Sequence, residues 1–144
     1  MTAAPSSPCP CGRKLAYDHC CGRWHAGPQA LLAPTAEDLM RSRYSAFALG
    51  LPAYLRDTWH PSTRPAAIEP LPAGLRWLGL EVRRHVAQDA DHAMVEFVAR
   101  SKLGGKAERL HETSRFVRED GRWFYVDGDI AVDQVAGRPG VVIG

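Results

Sequence analysis

Four cysteines grouped near the N-terminus constrain this chain more than any other feature. Residues 9–22 read CPCGRKLAYDHCCG and contain Cys9, Cys11, Cys20 and Cys21, which are all the cysteines of the 144-residue chain. Disulfides are disfavoured, because Cys20 and Cys21 are neighbours whose mutual bridge would distort the intervening peptide. Zinc prefers four soft ligands in a tetrahedron, delivered in pairs by two elements folded against each other. The spacing therefore predicts a zinc site with these four cysteines as ligands.

The residues around the cysteines support a metal-dependent segment. They offer little apolar surface, so metal binding would supply the folding energy. Gly12 and Gly22, each directly after a cysteine pair, are expected to let main-chain N–H groups approach the thiolates. Two alternatives stay open, namely reduced thiols without a metal and a redox pair. His19 and His25 are close enough in sequence to replace one sulfur, although both are expected to be exposed bystanders.

The cysteine pattern resembles the SEC-C zinc motif, which is best known from the C-terminal tail of the SecA translocation motor. The shared features are Cys-x-Cys, eight residues, then Cys followed by Cys or His, with a glycine after each pair. Arg13 and Lys14 are a departure, because the family usually has Ser-Gly after the first glycine. The resemblance implies zinc as the cofactor and partners among the secretion chaperones or the ribosome.

A second resemblance spans nearly the whole chain. The stretches TAEDLMRSRYSAFALGLPAYLRDTWHPSTRP, LHETSRF and GRWFYVDG are similar to the YchJ-like family of bacterial proteins. In that family a SEC-C knuckle precedes a domain shaped like nuclear transport factor two (NTF2). The resemblance implies an α+β fold, with a curved antiparallel sheet covered by helices. It divides the chain into a zinc knuckle at residues 1–30, hereafter the knuckle, and an NTF2-like domain at residues 31–144.

The hydrophobic periodicity independently predicts two helices followed by an antiparallel meander. Thr35 is a suitable N-cap for a helix that ends near Gly50, and Pro52 suits the start of a second, short helix. From Leu75 onward the period is two, and QDADH, Gly104-Gly105 and Asp120-Gly121 are turn signals between four strands. In the first strand the predicted inward residues are Leu78, Leu80, Val82 and Val86. The final AVDQVAGRPGVVIG is either a fifth strand or a loosely held tail.

Charged residues interrupt two otherwise apolar faces. Arg43 falls within the apolar sector of the first helix, whereas Ser42 and Ser45 fall outside it. On the third strand, Glu112 and the hydroxyl of Ser114 share a predicted face with two apolar residues that bracket them, Leu110 and Phe116. Because the helix packs on the sheet, Arg43 and Glu112 are expected to meet as a buried ion pair.

The same residues are candidates for a binding pocket. If the sheet curls around the helices, one end opens as a cone-shaped pocket with a predicted lining of Arg43, Tyr44, Trp59, Glu112, Ser114 and Phe116. A structural ion pair and a substrate-binding or acid/base role both stay open. The chain shows no Ser-His-Asp order, phosphate loop or paired carboxylates of catalytic spacing, so the sequence assigns no catalytic residue.

Composition narrows the class of protein without naming a partner. The formal net charge of +2 is too small to indicate nucleic acid or an anionic membrane. The N-terminal residues lack a basic segment followed by an apolar run, and no apolar stretch is long enough to span a bilayer. A cytoplasmic protein without a membrane partner is expected.

Three functions fit the sequence. The first is a zinc-dependent adaptor, whose NTF2-like domain serves as a scaffold or a homodimer unit through its sheet. In this adaptor the knuckle would display five residues to a protein partner: Arg13, Lys14, Tyr17, Arg23 and Trp24. The second is a small-molecule binder or enzyme that uses the cone-shaped pocket. The third is binding of single-stranded nucleic acid or the ribosome through the basic knuckle.

Overall fold

The computed structural model describes residues 7–68 and 71–130. A short 3-10 turn, Tyr17–His19, precedes helices α1 (Gly22–His25), α2 (Ala36–Leu49) and α3 (Pro52–Asp57). Four strands follow: β1 (Arg76–Ala87), β2 (His92–Leu103), β3 (Lys106–Glu119) and β4 (Arg122–Ile130). The fold is α+β, as the sequence predicts. The C-terminal AVDQVAGRPGVVIG lies outside the described residues.

Helix α2 begins and ends where the sequence predicts. The hydroxyl oxygen of Thr35 accepts a hydrogen bond of 3.1 Å from the main-chain N–H of Asp38, which caps the N-terminus. Gly50 ends the helix in the left-handed conformation, with φ of 72°. Pro52 then occupies the first turn of α3. These local signals determine where the helix that carries Arg43 begins and ends.

The four strands form one antiparallel sheet in the order β1-β2-β3-β4. Gly104 and Gly105 have φ of 58° and 81°, and Asp120 and Gly121 have φ of 53° and 76°. Positive φ at both central residues is what a two-residue type I′ hairpin requires. Both predicted hairpin turns are confirmed.

The predicted facing of β1 is wrong at both ends, because the strand contains two irregularities. Between Trp77 and Gly79 the register shifts, so Trp77 lies opposite the buried Ser101, while Leu78 is 51% exposed. A second shift between Val82 and Arg84 leaves Val86 38% exposed. Each bulge reverses the alternation of side chains beyond it. Only the middle of the strand keeps the predicted orientation.

The main core lies between α2, α3 and the inner face of the sheet. On β3, Leu110, Glu112, Ser114 and Phe116 are all buried, which confirms the predicted strand face. Trp24 of the knuckle joins the same apolar cluster. Among the described helices, none is both long and apolar enough to cross a membrane.

Candidate functional site

The four cysteines come together as a buried cluster. Their sulfur atoms all lie within 4.8 Å of one another, and Cys11 Sγ is 3.5 Å from Cys20 Sγ. All four are free thiols. Four sulfurs at about 2.3 Å from a tetrahedral zinc ion would be about 3.8 Å apart. The cluster therefore fits the ligand set of a four-thiolate zinc site.

Two turns deliver the cysteine pairs. The main-chain N–H of Cys9 donates to Leu15 O at 2.9 Å, and the N–H of Gly12 donates to Cys9 O at 3.3 Å. Gly12 adopts a left-handed φ of 86°. The main-chain N–H groups on either side of it approach thiols, as predicted: that of Cys11 bonds Cys9 and that of Arg13 bonds Cys11. At Gly22 a Cβ would lie 2.7 Å from the carbonyl oxygen of Tyr17. The second glycine therefore makes room for Tyr17.

The thiols perturb one another strongly. Hydrogen bonds with Cys11, Cys20 and Cys9 raise the pKa of Cys21, while the hydrogen bond with Cys21 lowers the pKa of Cys20 to about 7. Adjacent thiols cannot all ionise without a cation among them. A zinc ion would supply that charge and cross-link the two turns. Four protein ligands leave no open coordination position, which is typical of a structural site.

The knuckle packs directly on helix α2. His25 is half-buried, and its Nε2 lies 2.8 Å from Ser42 O while its Nδ1 lies 2.6 Å from the Tyr17 hydroxyl. Arg41 donates to Cys11 O at 3.0 Å. The prediction that His25 is an exposed bystander is wrong, because one ring nitrogen bonds Tyr17 within the knuckle and the other bonds Ser42 of α2. His19 is exposed, as predicted.

The five residues expected on the knuckle surface have different positions. Lys14 is exposed, and Arg13 forms ion pairs with Asp38 and Glu37 of α2. Arg23 and Tyr17 are half-buried, and the Arg23 guanidinium lies 4.4 Å from the centre of the Trp24 ring. Trp24 itself is only 5% exposed. The expected display of Trp24 is wrong, since its indole is part of the main core.

Arg43 is the centre of a second, buried polar cluster. One guanidinium nitrogen donates to Leu55 O at 2.8 Å and to Thr58 Oγ1 at 2.7 Å. The guanidinium also lies 4.7 Å from the centre of the Tyr125 ring and 5.2 Å from that of Trp59. Burial lowers the pKa of Arg43 to about 10, opposed by attraction to nearby groups that include Glu112. The side chain is fully buried and held by internal contacts.

Glu112 contacts the hydroxyl group of Tyr125. Its carboxylate accepts from Ser114 Oγ at 2.7 Å and from the Tyr125 hydroxyl at 3.4 Å. A Cβ on Gly128 would lie 2.9 Å from the carboxyl carbon of Glu112, so a glycine gives this carboxylate its space. Tyr125 thus contacts both Arg43 and Glu112. Their direct ion pair stays a prediction, because the described contacts join the two through this tyrosine.

The predicted pocket lining is largely interior. Five of its six residues are buried, namely Arg43, Tyr44, Glu112, Ser114 and Phe116, while Trp59 is half-buried. An apolar cavity of about 330 Å³ opens instead at the C-terminal end of α2. It is lined by Ala46, Phe47, Gly50, Leu51, Pro52, Leu55, Ile68 and Leu71. Sequence reasoning missed this cavity, and the available signal was the pair of large apolar residues, Ile68 and Leu71, in the Pro-rich stretch HPSTRPAAIEPLPAG.

Comparison with known proteins identifies the family. The model of the YchJ middle NTF2-like domain matches residues 35–128. The chain belongs to the YchJ-like family. A UPF0225 protein of Bordetella parapertussis is 60% identical over 132 residues, which cover 90% of this chain and 99% of the relative. A UPF0225 protein of Methylibium petroleiphilum is 70% identical over 123 residues, which cover 85% and 88%.

Two solved structures share the fold of this YchJ-like chain. The solution structure of a SEC-C motif containing protein from Rhodopseudomonas palustris has a TM-score of 0.74 at 31% identity, covering 87% of this chain and 99% of the other. The crystal structure of a SEC-C motif containing protein from Psychrobacter arcticus has a TM-score of 0.71 at 32% identity, covering 89% and 85%. The YchJ-like segment GRWFYVDG contains both Tyr125 and Gly128, so this segment builds the surroundings of Glu112.

Proposed function

We propose that the protein is a zinc-dependent adaptor in the cytoplasm, whose knuckle binds a protein partner and whose NTF2-like domain is the scaffold. The observation that best supports this proposal is the cluster of four buried free thiols, whose sulfur atoms lie within 4.8 Å of one another. A closed four-thiolate site stabilises structure and does not activate a substrate. Four reduced cysteines are also compatible with the reducing cytoplasm.

The outer side of the knuckle has a surface suited to a peptide. A shallow cavity of about 320 Å³ is lined by Tyr17, Asp18, Gly22, Arg23, Ala26, Pro28 and Gln29. Leu15, which is 46% exposed, adds an apolar side chain to the knuckle surface. Charged groups of both signs beside apolar surface are typical of the rim of a protein interface. Because Gly22 and Arg23 follow the second cysteine pair directly, zinc would fix the shape of this cavity.

A small-molecule function has less support. Arg43 and Glu112, which would define the cone-shaped pocket, are 0% exposed and bind Leu55, Thr58 and Ser114 inside the fold. A buried charge held by such contacts acts first on stability. The adaptor proposal therefore uses the knuckle as the binding surface and the buried cluster as support.

The test is to isolate the tagged protein from its own cells without chelator and to identify the retained proteins and metal by mass spectrometry. We expect a defined protein partner that is lost in the variant Lys14→Glu/Asp18→Lys and in Cys20→Ser. The matched control is Arg56→Glu/Asp57→Lys on α3, which swaps the same charges away from the knuckle. Equal retention by all variants would contradict the knuckle as the binding surface.

A further inference from the structure

Ser45 of helix α2 places a hydroxyl group against one of the four cysteines. Its Oγ lies 3.6 Å from Cys9 Sγ, which is within hydrogen-bond range for a sulfur atom, since sulfur is larger than oxygen. Both residues are buried, with Ser45 at 0% exposure and Cys9 at 5%. They are 36 residues apart in sequence, so the contact joins α2 to the knuckle. Because the pair is buried, water does not compete for this hydroxyl.

The hydroxyl of Ser45 makes this contact in place of the usual one for a serine within a helix. Such a serine commonly bonds back to a carbonyl oxygen of the preceding turn. Ser42 does so, since its Oγ donates to Leu39 O at 2.7 Å. Among the described residues, the one hydrogen-bond partner of Ser45 Oγ is Cys9 Sγ. A buried hydroxyl without a partner is costly, so the sulfur explains how a serine is accommodated here.

Metal binding determines the direction of this hydrogen bond. Between a free thiol and a hydroxyl, either atom could be the donor. A cysteine that binds a metal does so as a thiolate, which has no proton and can only accept. The Ser45 hydroxyl must then donate to the Cys9 sulfur. A hydrogen bond to an ionised acceptor is about twice as strong as one between neutral groups, so this contact strengthens when the metal binds.

We propose that Ser45 is a positioning residue of the metal site, whose hydroxyl donates to the Cys9 thiolate and raises the affinity of the chain for zinc. This inference rests on the four-cysteine zinc site of the proposed function. Hydrogen bonds that orient metal ligands commonly change metal affinity by about 10–100-fold. The main-chain N–H groups of Cys11 and Cys21 also bond the Cys9 sulfur. Ser45 is the donor that comes from outside the knuckle.

The same side of α2 holds the knuckle at two other positions, which keeps the Ser45 hydroxyl at Cys9. Arg41 donates to Cys11 O at 3.0 Å. The main-chain oxygen of Ser42 lies 2.8 Å from Nε2 of His25. Positions 41, 42 and 45 lie side by side on the helix, since residues three and four apart are neighbours. The surroundings of the metal therefore extend onto α2, and the predicted boundary at residue 30 divides them.

The experiment measures the zinc affinity of the full chain by competition with a chromophoric chelator. In Ser45→Ala we expect the affinity to fall at least about tenfold, because the Cys9 thiolate loses one donor. Alanine is a better helix former than serine, so the variant keeps α2. The matched control is Ser42→Ala, which removes a buried hydroxyl that bonds Leu39 and Tyr54. It should bind zinc within about threefold of the natural chain, since that hydroxyl contacts no cysteine.

The absorption spectrum of the cobalt(II)-loaded chain separates the hydrogen bond from packing. The thiolate-to-cobalt charge-transfer band reports the electron density on the sulfur atoms, and a hydrogen bond withdraws density from the sulfur that accepts it. We expect the band to shift to longer wavelength in Ser45→Ala and to stay unchanged in Ser42→Ala.

Three results would overturn the inference while leaving the zinc site intact. They are an unchanged zinc affinity in Ser45→Ala, an equal loss of affinity in Ser42→Ala, and an unchanged cobalt spectrum in Ser45→Ala. The last result would mean that Ser45 acts through packing alone. A natural chain that binds no zinc would overturn the inference together with the zinc site of the proposed function.

Discussion

Nε2 of His25 lies 2.8 Å from the main-chain oxygen of Ser42, and this hydrogen bond joins the cysteine-rich knuckle to helix α2. A carbonyl oxygen only accepts, so Nε2 carries the proton, and Nδ1 accepts from the Tyr17 hydroxyl at 2.6 Å. Burial lowers the pKa of His25, which favours the neutral ring that this arrangement requires. The imidazole connects the second cysteine turn to the helix that carries Arg43.

Replacing His25 by alanine should destabilise the zinc-loaded protein. The change leaves the Tyr17 hydroxyl and the Ser42 carbonyl without this partner, at a cost of about 1–3 kcal/mol. Urea unfolding followed by tryptophan fluorescence measures the effect. His19→Ala is the matched control and should be nearly neutral, because His19 is exposed. Equal losses in the two variants would show that the connection through His25 contributes nothing.

Gly128→Ala should be destabilising because the added Cβ meets the Glu112 carboxylate, whose carboxyl carbon would be 2.9 Å away. Overpacking of a buried site costs about 1–3 kcal/mol. Gly79→Ala is the control, since it is also in a strand and its Cβ would have no atom within 4 Å. Thermal unfolding of both variants checks the expectation.

A double-mutant cycle identifies the cause of that loss. In a Glu112→Ala background the carboxylate is absent, so Gly128→Ala should cost much less than in the natural chain. Additive losses would mean that the glycine is needed for another reason. The cycle therefore tests the contact between the two residues and not only the importance of each.

Arg43→Met and Glu112→Leu should each cost about 3–5 kcal/mol, because each removes one charge from a cluster around Tyr125 and leaves the other buried. The double variant should recover much of that loss, since both desolvated charges are then gone. Chemical denaturation of the three variants is the measurement. If the single variants are as stable as the natural chain, Arg43 and Glu112 do not stabilise the fold.

Trp24→Ala should destabilise the NTF2-like domain as well as the knuckle. The indole is buried in the main core, and truncation of such a side chain costs about 3–5 kcal/mol.

The division at residue 30 stays a prediction, and so does independent folding of residues 31–144. We expect that truncated chain to keep a cooperative thermal transition at a lower temperature. A non-cooperative melt would mean that the knuckle is part of the folding unit.

Local signals were enough to predict most elements of the fold. The Thr35 cap and the left-handed Gly50 determine the ends of α2 through contacts within a few residues. Positive φ at Gly104-Gly105 and Asp120-Gly121 follows from the residues themselves. The facing of β1 was not predictable in this way, because a bulge such as that at Trp77 is selected by packing against Tyr44, whose ring centre is 5.6 Å away.

The errors around the site have one physical cause, the packing of the knuckle on α2. Ser42 and Ser45 lie outside the helix's apolar sector, yet both are fully buried. Ser45 Oγ is 3.6 Å from Cys9 Sγ, and Ser42 binds His25. The 3.6-residue period describes one buried face of a helix. It cannot describe a second face covered by a polar, cysteine-rich segment, and for this reason the expectation that Trp24 and His25 are exposed is wrong.

The four-cysteine site is tested by the zinc content of the full chain, determined by elemental mass spectrometry after purification without chelator. We expect about one zinc ion per chain, lost on Cys→Ser replacement at position 9, 11, 20 or 21 and retained in His19→Ala. Chelation should also lower the melting temperature of the natural chain, because the metal links two turns that pack on α2. Less than about half an equivalent of zinc, or full zinc in a Cys20→Ser/Cys21→Ser variant, would show that the four cysteines do not form a zinc site.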